Sequence, residues 1–103
     1  MVCLMKGMFV VKKSQGAWFV YMLVCANGKL YTGITTDLEK RFRNHVAGTG
    51  AKFTRANRPS HIIAAKLCGS RSEASKLELA VKRLTPAQKR ALAITWADDS
   101  AAV

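Results

Sequence analysis

The clearest pattern in this 103-residue chain is an uninterrupted run of eight apolar and aromatic residues, from Trp18 to Cys25. A run of that length predicts a strand that is buried on both faces and central in its sheet. The segment Ala26-Asn27-Gly28 follows and is typical of a hairpin turn. Residues 29–35 then predict the returning strand, and residues 62–67 predict a third.

Helical periodicity fills most of the remaining chain. Thr36 or Asp37 can cap a first helix, whose apolar residues recur at helical spacing until glycines at 48 and 50 end it. Ser72 can cap a second helix, and Thr85-Pro86 opens a third. Between the first helix and the third strand, residues 48–60 predict a basic loop.

This order of elements, β-β-α-β-α-α, predicts the fold class: a small α/β domain in which helices flank a three-stranded sheet. One domain is the expectation for a chain of this length, and we place it at residues 17–97. We expect residues 1–16 to form a poorly ordered N-terminal extension and residues 98–103 to form a tail.

The charge of the chain narrows the class of partner. Seventeen Lys and Arg face six Asp and Glu, which gives a formal net charge of +11. Residues 40–71 contain eight basic residues and no acid. Such an excess on a small folded domain favours nucleic acid as the partner, ahead of an anionic membrane surface or a merely solvated basic surface.

Cysteine usage and hydropathy indicate the compartment. The three cysteines show no metal-ligand spacing, and two of them lie in apolar runs, which indicates reduced thiols in the cytoplasm. We expect no secretory signal in residues 1–11 and no membrane span, since no apolar run approaches about 18 residues.

Three charged or titratable residues interrupt the apolar stripes of the predicted helices. Arg41 and His45 lie on the inward stripe of the first helix, and Glu78 lies on that of the second. Burying an unpaired charge is costly, so these residues either pair with one another or form a functional site. A structural Arg41–Glu78 salt bridge, with His45 hydrogen-bonded nearby, is the alternative to a site.

The register of the hairpin decides whether its two tyrosines can act together. A two-residue Asn27-Gly28 loop would place Tyr21 and Tyr31 on opposite faces of the sheet. A three-residue loop with Gly28 in the left-handed region would pair Tyr21 with Gly33 and place both tyrosines on one face. The sequence supports the three-residue loop.

These residues, in this order and spacing, resemble the GIY-YIG endonuclease family, and in particular its small stand-alone single-domain (UPF0213-type) members. The two family tripeptides correspond to Phe19-Val20-Tyr21, which lacks the glycine, and to Tyr31-Thr32-Gly33. Arg41, His45, the Gly-Ala-Lys-Phe-Thr-Arg segment at 50–55 and Glu78 follow. The resemblance runs from about Trp18 to about Ala93.

The resemblance implies a role for each of these positions. Glu78 would bind one Mg²⁺ or Mn²⁺ ion, and Arg41 would hold the scissile phosphate. Tyr21 or Tyr31 would help to activate the attacking water, with His45 orienting that tyrosine or sharing the proton transfer. Glycine at position 33 would let the protein backbone approach the ligand. The nucleic-acid backbone would be contacted by Lys52, Thr54, Arg55 and Arg58.

The resemblance therefore implies a metal-dependent endonuclease that hydrolyses phosphodiester bonds of nucleic acid, DNA more readily than RNA. We expect low intrinsic sequence specificity, because the chain has no room for a separate recognition domain. The alternative is a non-catalytic nucleic-acid-binding module with the same fold.

Overall fold

The long apolar run forms the central strand of the sheet. The computed structural model describes residues 17–102, with side chains described to residue 97; the extension predicted at residues 1–16 lies outside the described residues. Strand β1 (Trp18–Cys25) pairs antiparallel with β2 (Leu30–Thr35) on one side and with β3 (Pro59–Cys68) on the other. Because β1 is covered on both faces, it is apolar at every position rather than at alternate ones.

The hairpin between β1 and β2 adopts the three-residue register. Tyr21 pairs with Gly33 and Leu23 pairs with Tyr31, which confirms that both tyrosines share one face of the sheet. Gly28 closes the turn at φ +87°, in the left-handed region, and its N–H donates to the Cys25 carbonyl over 2.8 Å. The turn thus sets the face on which both tyrosines lie.

Four helices complete the described chain: α1 (Leu38–Ala47), α2 (Lys52–Ala56), α3 (Arg71–Lys82) and α4 (Pro86–Ala102). Asp37 caps α1 by accepting from the Lys40 N–H, and Gly48 ends it at φ +85°. The fold class is confirmed, but the order is β-β-α-α-β-α-α, because the five-residue helix α2 lies within the predicted loop.

Two further boundaries differ from the sequence expectation. Ser70, not Ser72, caps α3, and its hydroxyl accepts from the Glu73 N–H over 3.2 Å. The backbone of α4 stays helical to Ala102, past the point at which we expect a tail. Within the described residues, no helix combines the length and the apolarity needed to cross a membrane.

The sheet separates two hydrophobic clusters. Helices α3 and α4 pack on the face that carries Val20 and Met22, and this cluster contains the buried Trp96. The opposite face, which we call the tyrosine face, carries Tyr21 and Leu23 and packs against Leu38 and Phe42 of α1. The helix of Arg41 and His45 and the helix of Glu78 therefore lie on opposite sides of the sheet.

The hairpin turn gives a test of backbone strain without a change in packing. A Cβ added to Gly28 would meet nothing within 4 Å, so a substitution there changes only the cost of the left-handed conformation. We expect Gly28→Val to lower the free energy of unfolding by about 1–2 kcal/mol. Gly28→Asn should cost less, because asparagine tolerates this region. Urea unfolding measures both, and equal losses would contradict the explanation.

Candidate active site

Two strands and one helix bring four of the predicted site residues together. Tyr21 projects from the central strand and Tyr31 from its neighbour, with ring centroids 6.3 Å apart. Arg41 and His45 lie one turn apart on α1, and the His45 ring lies 5.0 Å from the Tyr31 ring in an edge-on arrangement. The i, i+4 spacing on α1 aims both side chains at the tyrosine face.

His45 is the centre of a buried hydrogen-bond chain. Its side chain is 1% exposed; Nε2 lies 2.7 Å from the Tyr21 hydroxyl and Nδ1 lies 2.7 Å from the Thr54 hydroxyl. The Thr54 hydroxyl donates to the Ala51 carbonyl over 2.9 Å. A carbonyl can only accept, so Thr54 must accept from Nδ1–H. This assigns the tautomer: Nε2 carries no proton, and Tyr21 donates to it.

Burial holds both members of the Tyr21–His45 pair neutral. Desolvation, followed by the positive charge of Arg41, lowers the pKa of His45 to about 4. Desolvation also raises the pKa of Tyr21 to about 12; a hydrogen bond with Arg41 opposes this rise, and the charges of Tyr31 and Glu78 add to it. At neutral pH the site thus contains a phenol and an uncharged imidazole.

Arg41 brings the positive charge of the site next to both tyrosines. A hydrogen bond with Tyr21 is the main reason that its pKa is raised, and Tyr31 adds to the effect. Its Nε is buried and has no hydrogen-bond partner. A buried guanidinium donor without a partner is costly, and an anion that enters the site would satisfy it.

Glu78 reaches the site through its charge rather than through a contact. It lies on α3, half-buried, and its carboxylate pairs with Lys82 Nζ over 3.2 Å. Among the described residues, the ion-pair partner of Glu78 is Lys82. The structural alternative, a salt bridge between Arg41 and Glu78, is therefore not found there. The carboxylate is nevertheless close enough to contribute to the raised pKa of Tyr21.

Two glycines make room for the hydrogen-bond chain. A Cβ on Gly33 would lie 2.6 Å from the Tyr21 hydroxyl oxygen, and a Cβ on Gly50 would lie 2.6 Å from His45 Nδ1. Gly33 is buried, and the side chains of Tyr21 and Tyr31 leave no room for a Cβ there. Glycine at position 33 thus accommodates Tyr21, and its predicted backbone approach to a ligand stays a prediction.

The predicted nucleic-acid-binding segment divides into inward and outward residues. Lys52, Arg55 and Arg58 are exposed, as binding to a phosphate backbone requires. Thr54 is only 2% exposed and bonds to His45, so its assignment as a contact to nucleic acid is wrong. Its hydroxyl instead fixes the orientation of the histidine.

Sequence reasoning did not assign a role to Phe53. Its ring stacks on Tyr31, with centroids 5.9 Å apart and an interplanar angle of 24°, and its side chain stays 37% exposed. The available signal was an aromatic residue between Lys52 and Arg55 in a segment without other large apolar residues. The role of Gly50 in making room for His45 was also not predicted, because the sequence shows only that this glycine lies near the end of α1.

The low pKa of His45 predicts an acid-side loss of stability. Its folded-state pKa is about 4, below the ordinary 6.5 that it regains on unfolding. As pH falls from 6.5 towards 4, the unfolded chain takes up a proton that the folded chain excludes, so stability is highest above this window and falls through it. The loss should be roughly 3 kcal/mol.

His45→Gln removes this titration and provides the comparison. Urea unfolding across the window should show a steeper decline for the wild type than for His45→Gln, whatever their difference at neutral pH. Parallel declines of the two proteins would contradict a buried neutral His45.

Comparisons with known proteins identify the family of the chain. The model of the GIY-YIG catalytic domain matches residues 17–91. The chain is 50% identical over 72 residues to a UPF0213 protein of Cupriavidus pinatubonensis, a match that covers 70% of this chain and 80% of that one. A UPF0213 protein of Desulfotalea psychrophila is 49% identical over 77 residues, covering 74% and 70% of the two chains.

A solved structure has the same fold. The solution NMR structure of a protein from E. faecalis is 38% identical, with a TM-score of 0.55, and the match covers 79% of this chain and 88% of that one. With the family model matched over all three strands, α1, α2 and α3, the chain belongs to the GIY-YIG family, and its relatives are UPF0213 proteins.

Proposed function

We propose that this protein is a metal-dependent endonuclease that hydrolyses phosphodiester bonds of nucleic acid. The observation that carries the proposal is the directed hydrogen-bond chain from Tyr21 to His45 to Thr54, which lies beside a guanidinium with an unsatisfied donor. A nuclease needs a proton acceptor for the attacking water and a cation for the phosphate, and these residues would supply both.

Arg41 would bind the scissile phosphate. Its buried Nε has no protein partner, and a phosphate oxygen would satisfy it with a charge-assisted bond. In the transition state, negative charge builds on the phosphate oxygens, and a fixed guanidinium stabilises that charge more strongly in a site from which water is excluded.

Tyr21 would act as a proton relay, with His45 as the final acceptor. With a pKa of about 12, Tyr21 is not a phenolate at neutral pH. It donates to Nε2, and its oxygen keeps a lone pair that can accept a proton from water as its own proton passes to His45. A phosphate bound to Arg41 would offset the positive charge that lowers the pKa of His45, so substrate would make the histidine a stronger base.

Glu78 would hold the metal ion. Its carboxylate is half-buried and its charge reaches Tyr21, while the described residues include no cluster of three or more His, Cys, Asp or Glu. A single carboxylate suits one Mg²⁺ or Mn²⁺ ion, which usually takes one or two protein carboxylates and completes its shell with water and phosphate. The ion would supply a Lewis acid for the phosphate and acidify bound water.

Exposed basic residues would hold the nucleic-acid strand against this site. Lys52 and Arg55 lie on α2, Arg58 follows it, and the net charge of the chain is +11. Contacts to phosphates supply affinity but carry no sequence information, which supports low intrinsic specificity. DNA is the favoured substrate over RNA.

A nucleic-acid-binding module without turnover is the second candidate. The observation in its favour is that His45 already satisfies both ring nitrogens inside the protein, as a purely structural histidine would. The two candidates agree on binding and differ on metal-dependent cleavage.

Replacement of Glu78 separates the two. Glu78→Gln keeps the shape of the side chain and removes the charge that would hold the ion, so we expect cleavage to fall roughly 10²-fold or more while binding is retained. Stability should change by less than about 1 kcal/mol, because the Lys82 partner is largely exposed. Labelled single-stranded, duplex and branched DNA and RNA, with Mg²⁺, Mn²⁺ or EDTA, provide the assay.

Glu39→Gln is the matched control for that variant. Glu39 pairs with Arg43 on the exposed side of α1 over 3.7 Å, so its replacement makes the same charge change away from the site. Cleavage by Glu78→Gln at the wild-type rate would show that Glu78 does not hold the metal ion. Wild-type binding without any metal-dependent cleavage would leave the binding module as the function.

The basic segment predicts the salt dependence of binding. Replacing Lys52, Arg55 and Arg58 together by alanine should weaken duplex binding and flatten the slope of log K against log salt by about 2 to 3 units. Fluorescence anisotropy over a salt series measures this slope.

A second triple variant controls for total charge. Arg43, Lys76 and Arg83 are also exposed, and their replacement removes the same three charges from other surfaces. Equal flattening by both triple variants would show that only net charge matters. An unchanged slope in the first variant would place the binding surface elsewhere, with Lys89 and Arg90 as the next candidates.

A further inference from the structure

Phe53 exposes an aromatic ring directly beside the candidate site. One face of the ring stacks on Tyr31, at a centroid distance of 5.9 Å, and the side chain as a whole is 37% exposed. A large apolar side chain that remains exposed forgoes the favourable free energy of its burial. Tyr31 and Phe53 thus form a stacked pair that leads outward from His45.

The outer side of Phe53 borders an open cleft of about 380 Å³. The opposite walls come from the hairpin tip and from the first turn of α4, with the lining residues Asn27, Gly28, Lys29, Leu30, Pro86 and Lys89. Arg90 fixes these walls together by donating to the Gly28 carbonyl over 2.8 Å. The cleft is therefore bounded by two elements that are bonded to each other.

The chemistry of the cleft matches a nucleotide. Phe53, Leu30 and Pro86 provide flat or apolar surface, while Lys29 and Lys89 provide positive charge. No carboxylate is found among these lining residues, all of which lie in the described part of the chain. An aromatic face flanked by amines is the combination that binds a base by stacking and its phosphate by charge.

We propose that Phe53 and this cleft form a stacking subsite for one unpaired nucleobase, adjacent to the phosphate held by Arg41. The proposal rests on the proposed function for the position of that phosphate. A base stacked on Phe53 cannot remain paired and stacked in a duplex, so the nucleotide at this position is either single-stranded or turned out of its helix. The subsite would give the protein a preference for structure without a preference for sequence.

The experiment compares a single-stranded DNA oligonucleotide with a strand of the same length in which every base is replaced by an abasic sugar. Binding is measured in EDTA, so cleavage does not enter the result. We expect Phe53→Ala to weaken binding of the intact strand roughly five- to a hundredfold and to leave the abasic strand unchanged. Phe53→Tyr keeps the ring and should bind both strands as the wild type does.

A tryptophan reporter gives a second measurement that does not depend on the stability of the alanine variant. The emission that Phe53→Trp adds to that of the native Trp18 and Trp96, measured as the difference from the wild type, should be quenched by the intact strand and much less by the abasic strand. Leu67→Trp is the control, since Leu67 is 59% exposed but pairs with Phe19, at the far end of β1 from the hairpin. Its emission should respond to neither strand.

Two results would overturn the subsite: equal weakening of both strands by Phe53→Ala, or equal quenching of Phe53→Trp by both. Cleavage in Mg²⁺ is followed separately. A protein that shows base-dependent binding but no cleavage would refute the proposed nuclease and retain the subsite, so the two failures are distinguishable.

Discussion

The hydrogen bond from Tyr21 to His45 connects the central strand to the first helix, and the rest of the candidate site depends on it. Both side chains are about 1% exposed, so bulk water does not compete for the bond in the free protein. Removing one partner would leave a buried polar atom unsatisfied, at a cost of about 1–3 kcal/mol. The bond therefore fixes where α1 sits on the sheet as well as the orientation of the two groups.

The same burial determines the protonation state of the resting site. Desolvation disfavours every charged form, so it acts in opposite directions on an acid and on a base: the pKa of Tyr21 rises and that of His45 falls. The fixed positive charge comes from Arg41, which is less buried. A site built in this way contains a hydrogen-bond donor, a hydrogen-bond acceptor and a fixed cation, with the tyrosine and the histidine both neutral.

Much of this arrangement was accessible from the sequence, because it follows from local rules. The apolar run gave the central strand, and the turn residues favoured the register that places both tyrosines on one face, as the pairing of Tyr21 with Gly33 confirms. Helical periodicity placed Arg41 and His45 on one stripe. Each of these inferences needs only the period of an element or the geometry of a turn.

The features that could not be predicted lack a distinctive local pattern in the sequence. Helix α2 has five residues, too few for a period to be visible, and its capping residue Ala51 makes no side-chain cap bond. Threonine is compatible with both inward and outward positions, so nothing local distinguishes a Thr54 that touches nucleic acid from one that bonds to His45. The ion pair of Glu78 with Lys82 is an i, i+4 contact that sequence alone suggests, yet it competes with any long-range partner.

The sheet itself explains why the carboxylate stands apart from the other four residues. Tyr21, Tyr31, Arg41 and His45 belong to the tyrosine face, whereas Glu78 belongs to a helix that packs on the other face and touches β2, the edge strand. The charge of Glu78 nevertheless contributes to the raised pKa of Tyr21, as a minor cause beside desolvation. Gly33 lies on that edge strand directly opposite Tyr21, and a Cβ there would lie 2.6 Å from the Tyr21 hydroxyl oxygen. The absence of a side chain at position 33 is therefore a requirement of the buried tyrosine, whereas Glu78 acts on that tyrosine through charge alone.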